Sequence, residues 1–207
     1  MRDDEPELEL VPRQSIAALR KEAASCKRCD IYKRATQTVF GEGPAHAEIV
    51  LVGEQPGDQE DIQGKPFIGP AGKLLDRALD DAGIERSKTY VTNAVKHFKF
   101  VLRGKRRIHE RPNTTEIKAC RFWLEREFAA LKPKVVVALG ATAAHALSGK
   151  AVTIGRTRGR AIELMGFAGL ITVHPSYLLR LPDEASKAAE YKKFLADLKL
   201  VKRLAER

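Results

Sequence analysis

Three cysteines are the residues of this 207-residue sequence whose spacing most directly suggests chemistry. Cys26 and Cys29 form a Cys-x-x-Cys pair, and Cys120 stands alone. The opening segment, Met1–Glu5, is acidic and lacks the apolar stretch of a secretory signal, so a cytoplasmic protein is expected. Thiolates in such a protein bind metals or do chemistry more often than they form disulfides. A Cys-x-x-Cys pair can offer two of them to one metal.

The basic residues predict a polyanionic partner. The formal net charge is +10, and Lys and Arg side chains that neutralise phosphates release condensed counterions. A basic composition that only keeps the protein soluble is the alternative. The segment Lys96–Arg111 (KHFKFVLRGKRRIHER) holds seven Lys and Arg residues and one acidic residue. Phe98 and Phe100 interleave with them, which suits contact with a nucleic acid, although a solvated loop is the usual form of a charge run.

A segment rich in glycine and proline, Gly53–Lys73, follows an apolar run. Its first residues, Gly53-Glu-Gln-Pro-Gly57, force a tight backbone path that lets a ligand approach the chain closely. The residues after them predict a long, ordered loop. Phe67 lies on this loop, where an aromatic ring could stack on a base.

Short apolar runs alternate with helical patterns along the chain and predict the elements that must position these residues. The predicted strands are Glu48–Gly53, Tyr90–Val95, Val135–Leu139 and Leu170–Val173. The predicted helices lie at 14–24, 71–82 and 113–131, with a further helix that begins at Pro182–Asp183. The third of these helices begins at a capping-box spacing, Asn113–Glu116.

This alternation predicts an α/β fold, a three-layer α/β/α sandwich with a central, mostly parallel four-stranded sheet. Residues 1–207 are expected to form a single domain. Within it we expect an N-terminal helix and cysteine pair at 13–30, a core at 46–205 and a basic loop insertion at 98–112. Sites in such sheets gather at the carboxyl ends of the strands, where the unusual segments of this chain also lie.

The stretch Gly53–Leu75 (GEQPGDQEDIQGKPFIGPAGKLL) closely resembles motif I of the iron–sulfur uracil-DNA glycosylases, known as family 4. Three further landmarks follow in the order of that family: TNAVK at 92–96, VVVALG at 135–140 and HPS at 174–176. The resemblance covers about Ala23 to Leu200. It implies a uracil-DNA glycosylase fold and an enzyme that removes uracil from DNA and releases the free base.

Members of that family hold a four-iron, four-sulfur ([4Fe–4S]) cluster with four cysteines. In this sequence His97 occupies the position of one cysteine, so the resemblance implies the ligand set Cys26, Cys29, His97 and Cys120. A structural zinc ion bound by the same residues is the chemical alternative. In either case the expected role is structural, because the metal site would attach the N-terminal helix to the core.

The resemblance also assigns roles around the uracil. Phe67 would lie against the base, Asn93 would hydrogen-bond its edge, and His174 would donate a hydrogen bond to its O2. Glu54 would stabilise the cation that develops at C1′ or orient water. Further residues expected to contact the substrate are Gln55, Gly57 and Ser176. The DNA phosphates would be held by basic side chains, namely Lys73, Lys105, Arg106, Arg107 and Arg180.

The basic insertion is longer than its counterpart in ordinary family 4 enzymes, and Lys105–His109 (KRRIH) resembles the signature of the UdgX subgroup. Members of that subgroup become covalently joined to the DNA from which they remove uracil, through the histidine that ends the motif. The resemblance therefore implies that His109 acts as a nucleophile, beside Glu54 and His174 as the other catalytic residues. The reaction would be a single turnover that traps the DNA.

Two other functions stay open. The protein could be a conventional uracil-DNA glycosylase of base-excision repair, in which the basic segment only holds DNA, or a DNA-binding module that has lost catalysis. The expected partner is uracil-containing DNA, either single-stranded or double-stranded. A membrane partner is not expected, because the longest apolar stretch, Val135–Leu147, is interrupted and shorter than the roughly 20 residues of a membrane span. A monomer is expected.

Overall fold

A computed structural model describes residues 14–207, and its centre is a five-stranded sheet. The strands of this part of the chain are β1 (Ile49–Gly53), β2 (Thr89–Asn93), β3 (Phe100–Arg103), β4 (Arg106–His109), β5 (Val135–Leu139), β6 (Ala161–Leu164) and β7 (Phe167–Thr172). The central sheet has the order β2-β1-β5-β7-β6. Its first four strands are parallel, and β6 pairs antiparallel with β7.

The prediction of a mostly parallel sheet is confirmed, whereas the predicted number of four strands is wrong. The additional strand, β6, lies at the edge of the sheet, and most of its residues are partly or fully exposed. It therefore lacks the continuous apolar run that marks a strand buried on both faces. A turn at Met165 and Gly166, both with positive φ, joins it to β7.

Helices cover both faces of the sheet and complete the predicted three-layer sandwich. The helices of the described residues are α1 (Ile16–Ala23), α2 (Asp58–Gln63), α3 (Pro70–Asp81), α4 (Thr114–Leu131), α5 (Ala141–Ser148), α6 (Ile154–Thr157), α7 (Pro175–Leu179) and α8 (Glu184–Ala205). Side chains of β1 alternate between the two faces. Val50 and Val52 pack with α1, α4 and α5, whereas Ile49 and Leu51 pack with α3, α7 and α8.

Two helix starts follow the signals in the sequence. Asn113 Oδ1 accepts a hydrogen bond from the Glu116 N–H at 2.9 Å, and Glu116 Oε2 accepts one from the Asn113 N–H at 2.7 Å, which completes the capping box of α4. Asp183 Oδ1 accepts a hydrogen bond from the Ser186 N–H at 2.8 Å and caps α8. Each cap satisfies an amide that has no partner within its own helix.

The basic segment is more ordered than the predicted loop. Phe100–Arg103 and Arg106–His109 pair as an antiparallel hairpin, which we call the basic hairpin, and its turn lies at Gly104 and Lys105. Gly104 has φ of 60°, a conformation that glycine adopts without steric cost. The stretch 58–63, predicted as part of a long loop, forms the short helix α2.

The expectations for the first thirteen residues, including the acidic Met1–Glu5 segment, lie outside the described residues. Within residues 14–207, no helix combines the length and the apolar character needed to cross a membrane.

Candidate active site

The carboxyl ends of the parallel strands open into one cavity of about 1310 Å³. Its wall includes Glu54 directly after β1, Asn93 at the end of β2 and His174 shortly after β7. His109 reaches it from the end of the basic hairpin. This is the position at which ligands bind in open α/β sheets. Nine of the predicted site residues line the cavity, namely Glu54, Gln55, Gly57, Phe67, Asn93, His109, His174, Ser176 and Arg180.

Phe67 and Asn93 meet above Gly53, the last residue of β1. A Cβ atom on Gly53 would lie 2.6 Å from Phe67 Cζ and would also collide with Asn93 Oδ1. Only glycine therefore leaves room for an aromatic face and an amide edge at the same point. Phe67 has φ of 58°, a sparsely populated conformation for a residue with a side chain. Such strain is typical of functional sites, where the surrounding structure over-determines the backbone.

His174 is held in a single tautomer. Its Nδ1 accepts a hydrogen bond from the Ser176 N–H at 3.2 Å and also lies 2.8 Å from Ser176 Oγ. Burial lowers the pKa of His174 to about 4, and the nearby Arg180 and His109 act in the same direction. The imidazole is therefore neutral at pH 7, with its proton on Nε2. The ring lies 6.0 Å from the Phe67 ring, measured between centroids.

Glu54 connects the sheet to the basic hairpin. Its Oε2 accepts a hydrogen bond from the hydroxyl of Thr142, which in turn accepts one from Arg111 Nε at 3.1 Å. Its Oε1 lies 3.3 Å from His109 Nε2. The carboxylate is thus fixed on one side and faces the His109 ring on the other. Sequence reasoning missed Thr142, and its only signal was its position in the segment that follows β5.

The side chain of Gln55 holds the base of the basic hairpin. Its Nε2 donates to the carbonyl oxygens of Lys99 and Glu110, at 3.0 and 3.1 Å, and its Oε1 accepts from the Lys99 N–H at 3.1 Å. The Gln55 side-chain amide, which was predicted to contact the substrate, thus makes its hydrogen bonds to the backbone of Lys99 and Glu110. Gly57 lies at the N-cap of α2, where a Cβ would stand 2.5 Å from Glu60 Oε2.

The basic residues divide into anchored and exposed groups. Arg107 forms ion pairs with Asp58 and Asp61, both at 2.6 Å, and its side chain is only 20% exposed. Its guanidinium also lies over the rings of Phe98 and Phe100. Arg107 therefore holds the hairpin against α2. Two other predicted contacts, Lys105 and Arg106, are exposed at the hairpin turn.

Two further basic residues lie elsewhere around the site. Lys73 is exposed and lines a separate pocket of about 550 Å³. Phe67 lines both this pocket and the main cavity. Arg180 lines the main cavity and donates a hydrogen bond to Ser176 Oγ at 2.9 Å. Only Arg180 of this pair therefore reaches the place where the strand ends meet.

The predicted metal ligands lie between α1 and α4. Cys26 Sγ accepts a hydrogen bond from Trp123 Nε1–H at 3.2 Å, three residues along α4 from Cys120, and Cys29 packs against the same part of the core. Burial raises the pKa of Cys120 to about 12. In the part of the chain that the structure describes, no three Cys, His, Asp or Glu side chains converge closely enough to hold a single metal ion. Each ligand of a four-iron cluster binds its own iron, so such ligands stand farther apart.

His97 offers a nitrogen lone pair on the same side of the molecule. Its Nε2 lies 2.9 Å from Thr38 Oγ1, whose own proton is donated to the Ala23 carbonyl at 2.8 Å. Thr38 Oγ1 therefore accepts the Nε2–H of His97, and the lone pair on His97 Nδ1 is available to a metal. Burial lowers the pKa of His97 and keeps the ring neutral, as a metal ligand must be. Three thiols and one imidazole nitrogen fit the donor chemistry of a cluster.

The mostly parallel sheet between two layers of helices, with a cavity at the carboxyl ends of its strands, is the architecture of a uracil DNA glycosylase-like α/β protein. The family model of the uracil DNA glycosylase superfamily matches residues 40–199, and the chain belongs to that superfamily. It is 40% identical over 157 residues to a type-4 uracil-DNA glycosylase of Thermotoga maritima, which covers 75% of this chain and 78% of the relative. A type-4 uracil-DNA glycosylase of Archaeoglobus fulgidus is 35% identical over 177 residues, which cover 82% and 85%.

Proposed function

We propose that this protein excises uracil from DNA and then becomes covalently linked to C1′ of the exposed deoxyribose through His109. The excision rests on the superfamily and on relatives named as type-4 uracil-DNA glycosylases. The covalent step rests on one observation: His109 stands beside Glu54 in the cavity at the strand ends. The substrate is uracil-containing DNA, and free uracil is the product.

The target nucleotide must leave the base stack before its glycosidic bond can be reached. In the cavity, Phe67 then stacks on the uracil ring and the Asn93 amide hydrogen-bonds its edge. His174 donates its Nε2 proton in a hydrogen bond to uracil O2, as the C1′–N1 bond breaks and both bonding electrons stay on the base. A neutral histidine suits this task because it stabilises negative charge without giving up its proton.

His109 then reacts with the sugar. One imidazole nitrogen donates its lone pair to C1′, and the other nitrogen loses its proton. Glu54 lies within reach of the ring and is the acceptor. That proton ends on N1 of the departing uracil, so no water is consumed. The neutral imidazole that remains on C1′ is a poor leaving group, and the adduct persists.

A conventional, turning-over glycosylase uses the same geometry. Glu54 then orients a water molecule toward C1′, and the basic hairpin only holds DNA. The two mechanisms share Phe67, Asn93 and His174 and differ in what attacks the sugar. The products therefore distinguish them, since one gives free DNA with an abasic site and the other a protein–DNA adduct.

The decisive experiment mixes the protein with a uracil-containing single-stranded oligonucleotide, followed by heating in detergent and a denaturing gel. A thymine oligonucleotide is the control. A uracil-dependent band at the combined mass supports the covalent mechanism, and its loss in His109→Ser identifies the nucleophile. Free DNA that breaks on alkaline heating means ordinary turnover. If no free uracil appears with either mechanism, the protein is a DNA-binding module without catalysis.

We also propose that Cys26, Cys29, Cys120 and His97 bind a [4Fe–4S] cluster of structural function, with zinc as the alternative. This proposal rests on three thiols that pack at α4 and on the available Nδ1 of His97. With the group bound, Cys26 and Cys29 would be joined to Cys120, and the segment after α1 would be attached to α4. Anaerobic purification followed by metal analysis and absorption spectroscopy decides between the two. Brown protein with iron and sulfide supports the cluster, whereas colourless protein with zinc contradicts it.

The exposed cations around the cavity are proposed to contact the DNA backbone. Lys105 and Arg106 lie at the hairpin turn, Arg180 lies beside Ser176, and Lys73 lies at the neighbouring pocket. Side chains that contact phosphates make binding depend on salt concentration, because each contact releases counterions. Titration of single-stranded and double-stranded uracil DNA over a range of salt concentrations measures both the number of contacts and the preferred strand form. Weak binding that does not change with salt would contradict this assignment.

A further inference from the structure

A buried ionic network lies directly behind Asn93, at the end of β2. Lys96 and Glu127 are completely inaccessible to solvent, and Lys96 Nζ lies 2.6 Å from Glu127 Oε2. The ammonium also donates to Thr92 Oγ1 and to the Asn93 carbonyl oxygen, the latter at 3.0 Å. Tyr90 and Thr92 donate their hydroxyl protons to the Glu127 carboxylate. All three ammonium donors and both carboxylate oxygens are therefore satisfied.

Stability alone does not explain this network. Removing a lysine and a glutamate from water is costly, and an apolar pair of similar volume often stabilises a protein as well or better. Buried ionic networks that border a cavity occur at functional sites as well as in structural roles. The position of Lys96 suggests such a function. One of its three ammonium N–H groups donates to the carbonyl oxygen of Asn93, the residue proposed to contact the uracil base.

The bond from Lys96 holds the Asn93 carbonyl group at the point where the regular structure of β2 ends. Asn93 is the last residue of β2, and the chain at 94–97 runs in bends without helix or strand. On the other side, the Ala94 N–H donates to the Gly53 carbonyl at 2.9 Å. The planar peptide that joins Asn93 to Ala94 is thus held at both its oxygen and its nitrogen. These two bonds therefore limit the movement of the Asn93 backbone, from which the side-chain amide extends into the cavity.

Lys96 itself is fixed through its backbone. Its N–H donates to Cys120 Sγ at 3.2 Å, and its carbonyl oxygen accepts from the Val39 N–H at 2.8 Å. The ammonium also lies over the ring of Phe40. The backbone of Lys96 is therefore hydrogen-bonded at both its N–H and its carbonyl oxygen, which supports a positioning role for the side chain.

We propose that Lys96, held by Glu127, is a positioning residue that sets the Asn93 amide for recognition of uracil. This inference rests on the proposed function, since it assigns to Asn93 the role of contacting the base. It differs from the expectation that the Lys96–Arg111 segment contacts DNA, because Lys96 cannot reach solvent. A displacement of about 1 Å at a positioning group can slow a reaction by roughly 100-fold.

The test uses the paired change Lys96→Met with Glu127→Gln. Lys96→Met alone would leave a buried carboxylate without its cation and could unfold the protein. The pair removes both charges, and glutamine can still bond Tyr90 and Thr92. The pair is introduced into the natural chain and into an Asn93→Ala background. The rate of uracil release from a single-stranded oligonucleotide is then measured in a single turnover, with excess protein.

If Lys96 acts through Asn93, the paired change slows uracil release by about 10- to 100-fold in the natural chain and has little further effect in the Asn93→Ala background. Equal slowing in both backgrounds overturns the inference, because it shows that Lys96 acts independently of Asn93. Affinity for a thymine oligonucleotide is expected to stay unchanged. Natural protein that releases no uracil at all contradicts the proposed function instead.

A second measurement keeps the inference testable if Asn93→Ala is too slow to assay. The side-chain amide of Asn93 is assigned by nuclear magnetic resonance from the signal that Asn93→Ala lacks. We expect the paired change to shift this signal and to speed its exchange with solvent. An unchanged signal overturns the inference, whether or not the protein releases uracil.

Discussion

Glu54 Oε1 lies 3.3 Å from His109 Nε2, and this contact joins the end of β1 to the end of the basic hairpin. The other oxygen of Glu54 is held by Thr142. A carboxylate fixed on one side and facing an imidazole on the other has the geometry that the proposed role of a general base requires. The two residues lie far apart in sequence, so only the fold brings them together.

The Glu54→Gln variant tests the role of this carboxylate. Glutamine can still accept the Thr142 hydrogen bond, but it cannot take up the proton that His109 must lose. We expect adduct formation to slow by about 10²- to 10⁴-fold, the usual contribution of general base catalysis. The measurement is a time course of the adduct band on a denaturing gel. Thr142→Val is the matched variant, with an intermediate loss, and an unchanged rate in Glu54→Gln would exclude Glu54 as the base.

The lowered pKa of His174 predicts how stability depends on pH. The folded-state pKa is about 4, whereas an unfolded histidine has a pKa near 6.5. Between these values the unfolded chain binds a proton that the folded chain does not, so the free energy of unfolding decreases as pH falls from 6.5 to 4. The contribution of His174 is at most about 1.4 kcal/mol per pH unit.

Denaturant titrations over that pH range check this prediction. The natural protein is expected to lose stability more steeply than His174→Gln, which lacks the titrating group. His145→Gln, which removes a histidine outside the cavity lining, is the control and should keep the steep slope. If the free energy of unfolding changes with pH equally in the natural protein and in His174→Gln, the pKa of His174 is not lowered in the folded protein.

The sequence predicted the elements that are defined by local patterns. Buried parallel strands appear as apolar runs, and the capping box of α4 needs only Asn113 and Glu116 at the right spacing. The antiparallel edge strand β6 was missed because an exposed strand has no apolar run. Most of the residues predicted to surround the uracil base also line the cavity. They lie at or after the carboxyl ends of strands, and in a parallel sheet these ends meet at one edge.

The partners of charged residues could not be predicted. Lys96, Arg107 and Arg106 belong to one basic run in sequence, yet the first is buried with Glu127, the second is paired with acidic residues of α2, and the third is exposed. A charge pattern does not specify which carboxylates the fold will bring near it. The same limit explains why Thr142 was not identified, because its hydroxyl acquires a role only beside Glu54.

Gly53 is predicted to be intolerant of any side chain. A methyl group at this position would press against both Phe67 and Asn93, so Gly53→Ala should displace one or both. We expect uracil release to slow by roughly 100-fold, as for other displacements of about 1 Å. Gly155→Ala is the matched control, because a Cβ at Gly155 meets no atom within 4 Å. Single-turnover assays of both variants at a temperature where both are folded check the prediction. Equal rates in the two variants would contradict it.

Arg106 and Arg107 form a matched pair of neighbours with different expected effects. Arg106→Gln should weaken DNA binding and reduce the slope of log affinity against log salt by about 1, as for one lost phosphate contact. Arg107→Gln should leave that slope unchanged but slow adduct formation, since His109 lies two residues farther along β4. It should also destabilise the fold, because Asp61 is completely buried and loses its cation. The same salt slope change in both variants would contradict the distinction.

Trp123, the only tryptophan of the chain, reports on the proposed cluster site. Its Nε1–H donates to Cys26 Sγ at 3.2 Å, and its ring contacts Phe40 and Phe122 edge-on. Removal of the metal by a chelator under reducing conditions should raise the fluorescence of this residue, since bound iron–sulfur clusters absorb light and quench nearby emission. It should also lower the melting temperature, because a metal that binds only the folded state stabilises it. Cys120→Ala should show both changes without chelator. Fluorescence and melting temperature that do not respond to chelator or to Cys120→Ala would mean that these thiols hold no metal.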